Sequence, residues 1–410
     1  MLVIAAPGQG AQTPGFLSPW LKLPGFAERL GAWSELAGVD LVKSGTTASA
    51  EEIRDTAVAQ PLLVAAAIAA AETLFGGLDQ ARVHTGAAAG HSVGELGAGV
   101  LAGVLSAADA MRLVRVRGQA MAQAAAAEAT GMTAVLGGDE AEVLDSIKAH
   151  GLTPANINGA GQVVAAGTLE QLAAFAADPP ARARLRPLPV AGAFHTRHMA
   201  PAVDALRDAA ATVTVSDPVL PLLSNRDGAA VRTGPDWLER IVTQVSAPVR
   251  WNLCMRTMTD LEAGALIELP PAGTLTGLAR RAMPGVALAA LKTPDDLESA
   301  TALIAEHGAL DPYDDGGQGP EWRLLVAPLA GTFRHGTVGA APTVGAALFP
   351  GAEIGHVAQR GARHVITPPF PATVLEWLVE DGDPVSAGQP LVRLQPEPAS
   401  RRTTRASQAG

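Results

Sequence analysis

Short apolar runs alternate with longer alanine-rich stretches of helical character over residues 1–125, and the same alternation returns over residues 200–305. The first run, Met1–Pro7, predicts a buried strand at the start of the chain. Strands that alternate with helices in this way are typical of an α/β fold whose sheet is mainly parallel. The pattern therefore predicts one α/β domain built from two separated parts of the chain.

The segment between these two parts has a different order of elements. Its pattern predicts a strand, a helix, a strand, a helix and a further strand over 131–136, 140–150, 163–167, 169–177 and 184–190. This order indicates a small split-βαβ, or ferredoxin-like, subdomain inserted in the larger domain. We place the larger domain at 1–127 and 198–308, and the inserted subdomain at 128–197.

The pattern changes again beyond residue 308. Residues 309–320 are polar and rich in glycine, proline and aspartate, which predicts a linker. Residues 321–396 carry short β-like runs and predict a small all-β domain. Residues 397–410 are polar and predict a disordered tail.

Composition narrows the class of protein. Hydrophobic residues make up 48% of the 410 residues, and no apolar run reaches the roughly 18 residues of a membrane span. The net charge of −10 argues against a nucleic-acid partner, and the N-terminus lacks the basic segment of a signal peptide. The single cysteine, Cys254, is compatible with a reducing cytosol. We therefore expect a cytoplasmic protein without a membrane partner.

The hexapeptide Gly90–Glu95 (Gly-His-Ser-Val-Gly-Glu) places Ser92 between two glycines after a run of small residues. A Gly-x-Ser-x-Gly core marks a sharp strand-to-helix turn, the nucleophile elbow, in which the glycines let neighbouring backbones pass close to a strained serine. The turn exposes the hydroxyl and brings the backbone N–H of Val93 near a developing oxyanion. An ordinary βα turn is the alternative interpretation of this pattern alone.

A nucleophilic serine needs a base, and nine histidines are available. His195 is the candidate because it follows the strand predicted to end at Val190, and a histidine that closes a strand can reach the sheet edge where the elbow lies. A histidine satisfied within the core is the alternative. Pro7–Gly10 ends the first strand, so the backbone N–H of Gln9 can complete an oxyanion hole with Val93. A phosphate-binding loop is the weaker alternative there, because no Walker lysine follows.

Three arginines, Arg112, Arg115 and Arg117, lie on one predicted helix, where most arginines are solvated. Arg117 differs because Gly118 follows it directly and Met121 lies one turn further on. A guanidinium at such a place can hold a substrate carboxylate through two parallel hydrogen bonds.

Together these pieces resemble the malonyl-CoA:acyl-carrier-protein transacylases of fatty-acid and polyketide synthesis. The resemblance covers residues 1 to about 305 and rests on six motifs in the order of that family: Pro7–Gln12, Gly90–Glu95, Arg117-Gly118, Asn156–Asn158 with Gly161–Val164, Phe194–Thr196, and Gln244 with Pro248–Trp251. It implies an α/β-hydrolase-like larger domain with malonyl-CoA and an acyl carrier protein as partners, and neither a metal nor a cofactor. One loop departs from the family, because Glu268–Gly273 reads Glu-Leu-Pro-Pro-Ala-Gly where Glu-x-Gly-Pro-Gly is usual.

The resemblance also implies a role for each residue of the reaction centre. Ser92 is the nucleophile, His195 is the general base, and Arg117 anchors the malonyl carboxylate. The backbone N–H groups of Gln9 and Val93 bind the oxyanion.

Five further residues are implied around this centre. A backbone carbonyl near Gln244 orients the base, and substrate contacts fall on Met121, Phe194, His91, Asn156 and Gln244. In related polyketide acyltransferases a phenylalanine at the place of Phe194 goes with malonyl and a serine with methylmalonyl. Malonyl is therefore the expected acyl group.

The C-terminal part contains two similar segments, 326–333 and 366–374, whose starts are 40 residues apart, and the second leads into 379–392. A paired β repeat with this ending resembles the biotinyl/lipoyl carrier domain, a flattened β-sandwich called a hammerhead. The resemblance implies an attachment lysine on a hairpin between the halves. The matching place falls on Gly361, and no lysine follows Lys292. Because biotin and lipoate need a lysine amine, we expect this domain to carry neither and to act as a docking or structural module.

Two other classes of function share parts of the pattern. A serine thioesterase or hydrolase also uses the elbow, but it leaves Arg117 without a role and predicts a late catalytic histidine, for which His307 in a polar stretch is a poor base. A scaffold that links a carboxylase to a carrier protein through the C-terminal domain predicts a damaged site. Ser92, His195 and Arg117 are nevertheless all present.

Overall fold

The computed structural model describes residues 1–190, 192–308, 322–336, 342–348, 352–359, 362–368 and 372–396. The chain divides into two compact units, Met1–Ala309 and Leu310–Gly410. The linker predicted at 309–320, the tail predicted at 397–410 and the Gly361 position lie outside the described residues, so these three remain predictions.

The first unit combines helices and strands along its whole length. Its helices are α1 Phe26–Ala37, α2 Leu41–Thr46, α3 Thr56–Phe75, α4 Leu78–His84, α5 Gly94–Leu101, α6 Ala107–Ala127, α7 Glu140–Ala149, α8 Leu169–Ala177, α9 Ala200–Ala210, α10 Gly234–Gln244, α11 Trp251–Asp260, α12 Thr274–Ala282 and α13 Leu297–His307. Its strands are β1 Leu2–Ala6, β2 Ala87–Gly90, β3 Thr130–Gly137, β4 Thr153–Gly159, β5 Gln162–Thr168, β6 Ala183–Pro187, β7 Leu222–Leu223, β8 Ala230–Val231, β9 Ala265–Glu268 and β10 Ala287–Ala290.

The larger sheet has six strands in the order β10-β9-β1-β2-β7-β8. Its pairs are parallel except for the short β7–β8 pair at one edge, which confirms the prediction of a mainly parallel sheet. All residues of β1, β2 and β9 are buried, as expected when helices cover both faces of a sheet. Because β1 and β2 are parallel neighbours, the segments that follow Ala6 and Gly90 leave the sheet at the same edge. That edge carries the candidate site.

Helix α3 is strongly apolar although no uninterrupted apolar run of about 18 residues occurs in it. By length and composition alone this 20-residue helix, with a mean hydropathy of 1.7, is apolar enough to cross a membrane. The count of consecutive apolar residues does not register this helix, because Gln60, Glu72 and Thr73 interrupt the run. Most of α3 is buried inside the first unit, where it packs against α5 and α6. The helix is therefore the central core helix of this unit.

The inserted segment forms a separate sheet in the order β4-β5-β3-β6, with all of its pairs antiparallel. Helices α7 and α8 lie between its strands in the split-βαβ order along the chain. The sequence pattern missed β4 because Pro154, Asn156 and Gly159 are residue types depleted in strands. The pairing of β4 with β5 also shifts register twice, between Pro154 and Asn156 and between Ile157 and Gly159. The last strand also ends at Pro187, before the predicted end at Val190.

The second unit consists of strands among its described residues. They are β11 Arg323–Val326, β12 Gly331–His335, β13 Ala347–Leu348, β14 Gly355–Gln359, β15 Ala362–Ile366, β16 Ala372–Trp377, β17 Pro384–Val385 and β18 Pro390–Pro396. They form two four-stranded antiparallel sheets, β11-β18-β16-β13 and β15-β14-β12-β17. Phe333, Val357 and Leu391 belong to the apolar core of this unit.

Candidate active site

Ser92 lies in the sharp turn between β2 and α5. Its backbone φ is +53°, in the left-handed region that a serine rarely adopts. A Cβ on Gly90 would lie 2.0 Å from the backbone of Gly94, and a Cβ on Gly94 would lie 2.2 Å from the carbonyl oxygen of Ala6. Only glycine fits at either position, because the turn closes on its own backbone at Gly90 and packs against the end of β1 at Gly94. This is the nucleophile-elbow geometry predicted from the hexapeptide.

His195 contacts the serine and is itself held from behind. The Ser92 Oγ and His195 Nε2 atoms are 2.7 Å apart. The His195 Nδ1 atom lies 2.9 Å from the backbone carbonyl oxygen of Gln244, at the last residue of α10. Because a carbonyl only accepts, Nδ1 carries the proton and Nε2 is free to accept the serine hydroxyl proton.

The position of His195 differs from the one that the sequence suggested. It does not close a strand of the larger sheet; it lies eight residues beyond the end of β6, in a turn before α9 with φ +61°. Burial, followed by the positive charge of Arg117, lowers the pKa of His195 to about 3. The imidazole is therefore neutral at neutral pH, as a general base requires.

Arg117 extends from α6 to the serine. Its side chain is 1% exposed, and its Nη2 atom is 3.4 Å from Ser92 Oγ. Nη1 donates to Gln60 Oε1 at 2.6 Å and Nη2 donates to Gln244 Oε1 at 2.7 Å. Both partners are neutral amides, and burial lowers the pKa of Arg117 to about 10. A guanidinium that is still charged at neutral pH thus lies beside the nucleophile with no carboxylate bonded to it among the described residues.

Two backbone N–H groups flank the serine. Those of Gln9 and Val93 donate to no protein acceptor in the part of the chain that the structure describes. Both residues, together with Ser92 and His195, line one cavity of about 80 Å³. Free N–H donors beside a serine hydroxyl are the elements of an oxyanion hole.

The walls of this cavity include four of the residues expected to contact substrate. Phe194 and Met121 supply apolar surface, and His91 and Asn156 supply polar atoms. The Oδ1 atom of Asn156 is buried and has no hydrogen-bond partner. Gln9, His91 and Asn156 also line an adjoining cavity of about 460 Å³, which extends past Arg54. The small cavity therefore borders a larger cavity and shares these lining residues with it.

His91 fixes the inserted subdomain to the elbow. Its Nε2 atom lies 2.9 Å from Asn158 Oδ1 on β4, and its ring packs edge-on against Trp251 with 5.7 Å between ring centroids. His91 is therefore held in place by two elements, although the sequence indicated only a substrate contact.

Three residues of the site were missed by sequence reasoning: Gln60, Asn225 and Glu95. Asn225 Oδ1 accepts from the backbone N–H of Ser92 at 2.7 Å, and its Nδ2 donates to the Gly90 carbonyl at 2.7 Å. Asn225 thereby holds both sides of the elbow. Each missed residue is a polar side chain in apolar surroundings: Gln60 within α3, Glu95 within α5, and Asn225 just after β7. That contrast was the available signal.

The loop that departs from the family pattern lies at the end of β9. The Glu268 carboxylate, which is fully buried, accepts from the backbone N–H groups of Gly273, Leu275 and Thr276. It thus satisfies donors at the start of α12. Among the described residues, no group of three His, Cys, Asp or Glu side chains is placed to hold a metal ion.

Comparison with known proteins identifies the family. An acyl transferase domain model matches residues 6–301. The malonyl CoA-acyl carrier protein transacylase of Mycobacterium tuberculosis is 51% identical over 308 residues, which cover 74% of this chain and 100% of the relative. The transacylase of the same name from Escherichia coli K12 is 34% identical over 307 residues, which cover 72% of this chain and 97% of the relative.

Solved structures agree with these relatives. The crystal structure of MCAT from Mycobacterium tuberculosis matches with a TM-score of 0.71 at 51% identity and covers 73% of this chain and 99% of that one. A structure of a type II PKS acyl-carrier protein in complex with its malonyl-transacylase also matches, with a TM-score of 0.68 at 30% identity. The match covers 73% of this chain and 99% of the matched chain. The fold and the serine site are those of an acyl-transfer enzyme. The chain belongs to the acyl transferase family, among the malonyl CoA-acyl carrier protein transacylases, which confirms the predicted resemblance.

Proposed function

We propose that the chain transfers a malonyl group from malonyl-CoA to the phosphopantetheine thiol of an acyl carrier protein through a malonyl-serine intermediate. The observation that carries this proposal is the buried Arg117 guanidinium, 3.4 Å from Ser92 Oγ. A buried cation without a bonded carboxylate is costly unless a ligand supplies the negative charge. The free carboxylate of malonyl is such a ligand, and a neutral acyl group is not.

The first half-reaction follows from the proton positions. His195 Nε2 accepts the proton of Ser92 as Oγ attacks the thioester carbonyl, and the N–H groups of Gln9 and Val93 stabilise the oxyanion. The protonated imidazole then donates to the leaving CoA thiolate. The Gln244 carbonyl at the C-terminal end of α10 favours the transient positive charge on His195.

The second half-reaction runs the same proton path in reverse. The carrier thiol gives its proton to His195 Nε2 and attacks the malonyl ester, and Ser92 Oγ takes the proton back as it leaves. Arg117 fixes the carboxylate and therefore the acyl group in one pose throughout. The elbow at the carboxyl edge of a parallel sheet supports an α/β-hydrolase-like description of the larger domain.

Phe194 limits the acyl group. Its side chain is 7% exposed and lines the 80 Å³ cavity beside the base. A branch on the malonyl α-carbon would need space that the ring occupies, so malonyl is the preferred acyl group over methylmalonyl. Cys254 is free and buried, and burial raises the pKa of its thiol; a reduced, inert thiol of this kind supports placement in the cytoplasm.

Intact-mass measurement after mixing with malonyl-CoA tests the proposal. A malonyl adduct on Ser92 that a carrier protein discharges much faster than water does is the expected result. An adduct discharged by water at the same rate with and without carrier would identify a hydrolase instead.

Carrier docking is expected to use a local patch of exposed arginines. The candidates are six exposed arginines, none of which forms an ion pair within the described part of the chain: Arg182, Arg184, Arg186, Arg197, Arg280 and Arg281. Arg184 and Arg186 lie on β6, the edge strand of the inserted subdomain. Carrier proteins are typically acidic, so charge reversal at these two positions should raise KM for the carrier and weaken its salt dependence while acylation by malonyl-CoA is unchanged.

A matched control for that experiment is Arg232→Glu. Arg232 is exposed and follows β8 at the far edge of the larger sheet. It changes the net charge by as much as a single reversal at Arg184 or Arg186 does, and it should leave carrier KM unchanged. If the control and the β6 variants behave alike, the effect is one of overall charge and the docking surface lies elsewhere.

We also propose that the second unit is a biotinyl/lipoyl-like domain that carries no cofactor and serves docking. Two antiparallel four-stranded sheets around one apolar core support this, as does the pairing of β14 with β15, in which Gln359 lies opposite Ala362 just beside the Gly361 position. The sequence offers no lysine in this unit.

Truncation after Asp311 is therefore expected to leave malonyl transfer intact. The residues that form the apolar cores of the first unit all lie between Met1 and Ile304. The full-length chain, but not the truncated one, should co-purify with a carboxylase subunit or another enzyme of acyl synthesis, and a streptavidin blot of the full-length chain should be negative. A folded but inactive truncation, or a positive blot, would contradict this assignment.

A further inference from the structure

Glu95 is a buried carboxyl group directly behind the nucleophile. It lies in the first turn of α5, three residues after Ser92, and is 2% exposed in a helix whose residues are all buried. Its Oε1 atom accepts from the backbone N–H of Asn225 at 2.6 Å, and its Oε2 atom accepts from the Gln244 side-chain amide. Both partners are donors, so both carboxyl oxygens act as acceptors in this geometry. Burial raises the pKa of Glu95 to about 8, and the Asn225 N–H and the charge of Arg117 oppose that rise.

The orientation of the Gln244 amide follows from its neighbours. Its Oε1 atom faces Arg117, which has donors only, at 2.7 Å from Nη2. Its Nε2 atom must then face the opposite side, where it donates to Glu95 and to the Ser92 carbonyl at 3.2 Å. Both carboxyl oxygens of Glu95 accept hydrogen bonds, so Glu95 pairs with the nitrogen of the Gln244 amide and not with its oxygen. Glu95 therefore stabilises the amide orientation that presents oxygen to Arg117.

This arrangement keeps the carboxyl group of Glu95 close to Arg117 without bonding to it, because the Gln244 amide lies between them. A carboxylate bonded directly to the guanidinium would compete with the malonyl carboxylate for the same donors. One amide between Glu95 and Arg117 instead holds the guanidinium in place and leaves its charge available to the substrate.

We infer that Glu95 is a positioning residue for malonyl recognition: through the amide of Gln244 it fixes the Arg117 guanidinium beside Ser92. This inference rests on the proposed function. Glu95 touches neither the acyl group nor the base in this role. Its effect should therefore appear in the selectivity between charged and neutral thioesters.

Glu95→Gln tests the inference with little change of shape. The new side-chain NH₂ must face one of two donors, the Asn225 N–H or the Gln244 amide, which favours a flip of the Gln244 amide that turns nitrogen toward Arg117. We expect kcat/KM for malonyl-CoA to fall by about 10- to 100-fold, mainly through KM, the range typical for a lost buried hydrogen bond to a charged group. The value for acetyl-CoA should fall much less, so that the malonyl-to-acetyl ratio drops.

Glu268→Gln is the matched control, because Glu268 is an equally buried carboxylate in the same unit with no link to Arg117. It should lower Tm and leave the malonyl-to-acetyl ratio at its original value. If Glu95→Gln lowers kcat/KM for malonyl-CoA and for acetyl-CoA by the same factor, Glu95 has a purely structural role and the inference is overturned. Glu95→Asp retains an acceptor-only group, so it should restore part of the ratio, and it provides the measurement if the Gln variant does not fold.

The double variant Glu95→Gln/Arg117→Ala tests whether Glu95 acts through Arg117, independently of whether the proposed function is correct. If Glu95 acts through Arg117, the double variant should show the same malonyl-to-acetyl ratio as Arg117→Ala alone. A further fall of that ratio would contradict the inference. If the unsubstituted protein shows no preference for malonyl-CoA over acetyl-CoA, the proposed function itself is refuted.

Discussion

Ser92→Ala should show no malonyl adduct at all after mixing with malonyl-CoA. The variant removes the hydroxyl that lies 2.7 Å from the His195 base and beside the free N–H groups of Gln9 and Val93. Among the described residues that line this cavity, no second hydroxyl or thiol is present to attack the thioester carbonyl. Intact-mass analysis measures the result directly, and an adduct that forms normally on this variant would refute the nucleophile assignment.

His195→Ala should form the same adduct by a much slower route. Loss of a general base typically costs about 10²–10⁴-fold, and this variant leaves the serine, the elbow and Arg117 in place. His198→Ala is the control, because His198 lies three residues on and pairs with Glu128 at 2.7 Å, away from the serine. In stopped-flow measurements His195→Ala should be acylated about 10²–10⁴-fold more slowly than His198→Ala. Equal acylation rates would assign the base to another residue.

The parts of the site that the sequence could predict are those encoded in short stretches of chain. The elbow around Ser92 and the turn at Gln9 each follow one buried strand, so glycine spacing alone indicates where the backbone turns. Arg117 stands out on its helix for the same local reason. Chain order along a parallel sheet then brings these stretches to a common edge.

The remaining parts depend on contacts between distant segments. Asn225 reaches Ser92 across 133 positions of sequence, and Arg117 is held by Gln60 from another helix. No periodicity records such pairs. His195 was found for a reason that the structure does not support, because its place is set by the left-handed turn and the Gln244 carbonyl and not by the end of a strand.

Strand β4 shows the same limit at the level of the fold. Its polar and breaking residues argue against a strand when taken alone, yet Asn158 binds His91 and Asn156 lines the cavity. Function selects residues there that strand propensity disfavours, and pairing with β5 compensates. A local rule therefore failed where the chain carries its binding residues.

Arg117→Ala should remove the preference for malonyl-CoA over acetyl-CoA. In the variant the malonyl carboxylate enters a buried site without its cation, while Gln60 Oε1 and Gln244 Oε1 lose their donor. Truncating one member of a buried charge pair typically costs about 2–5 kcal/mol, so kcat/KM for malonyl-CoA should fall by at least about 30-fold. The value for acetyl-CoA, which carries no such charge, should hold or rise.

Two variants on the same helix sharpen this test. Arg115→Ala removes an exposed arginine two positions away and should leave the ratio of kcat/KM for the two thioesters unchanged. Arg117→Lys keeps the charge but offers a compact ammonium in place of the planar fork, so it should retain only part of the preference. If Arg117→Ala and Arg115→Ala give the same ratio, Arg117 does not anchor the carboxylate. The preference for malonyl would then have to come from Phe194 and the shape of the cavity alone.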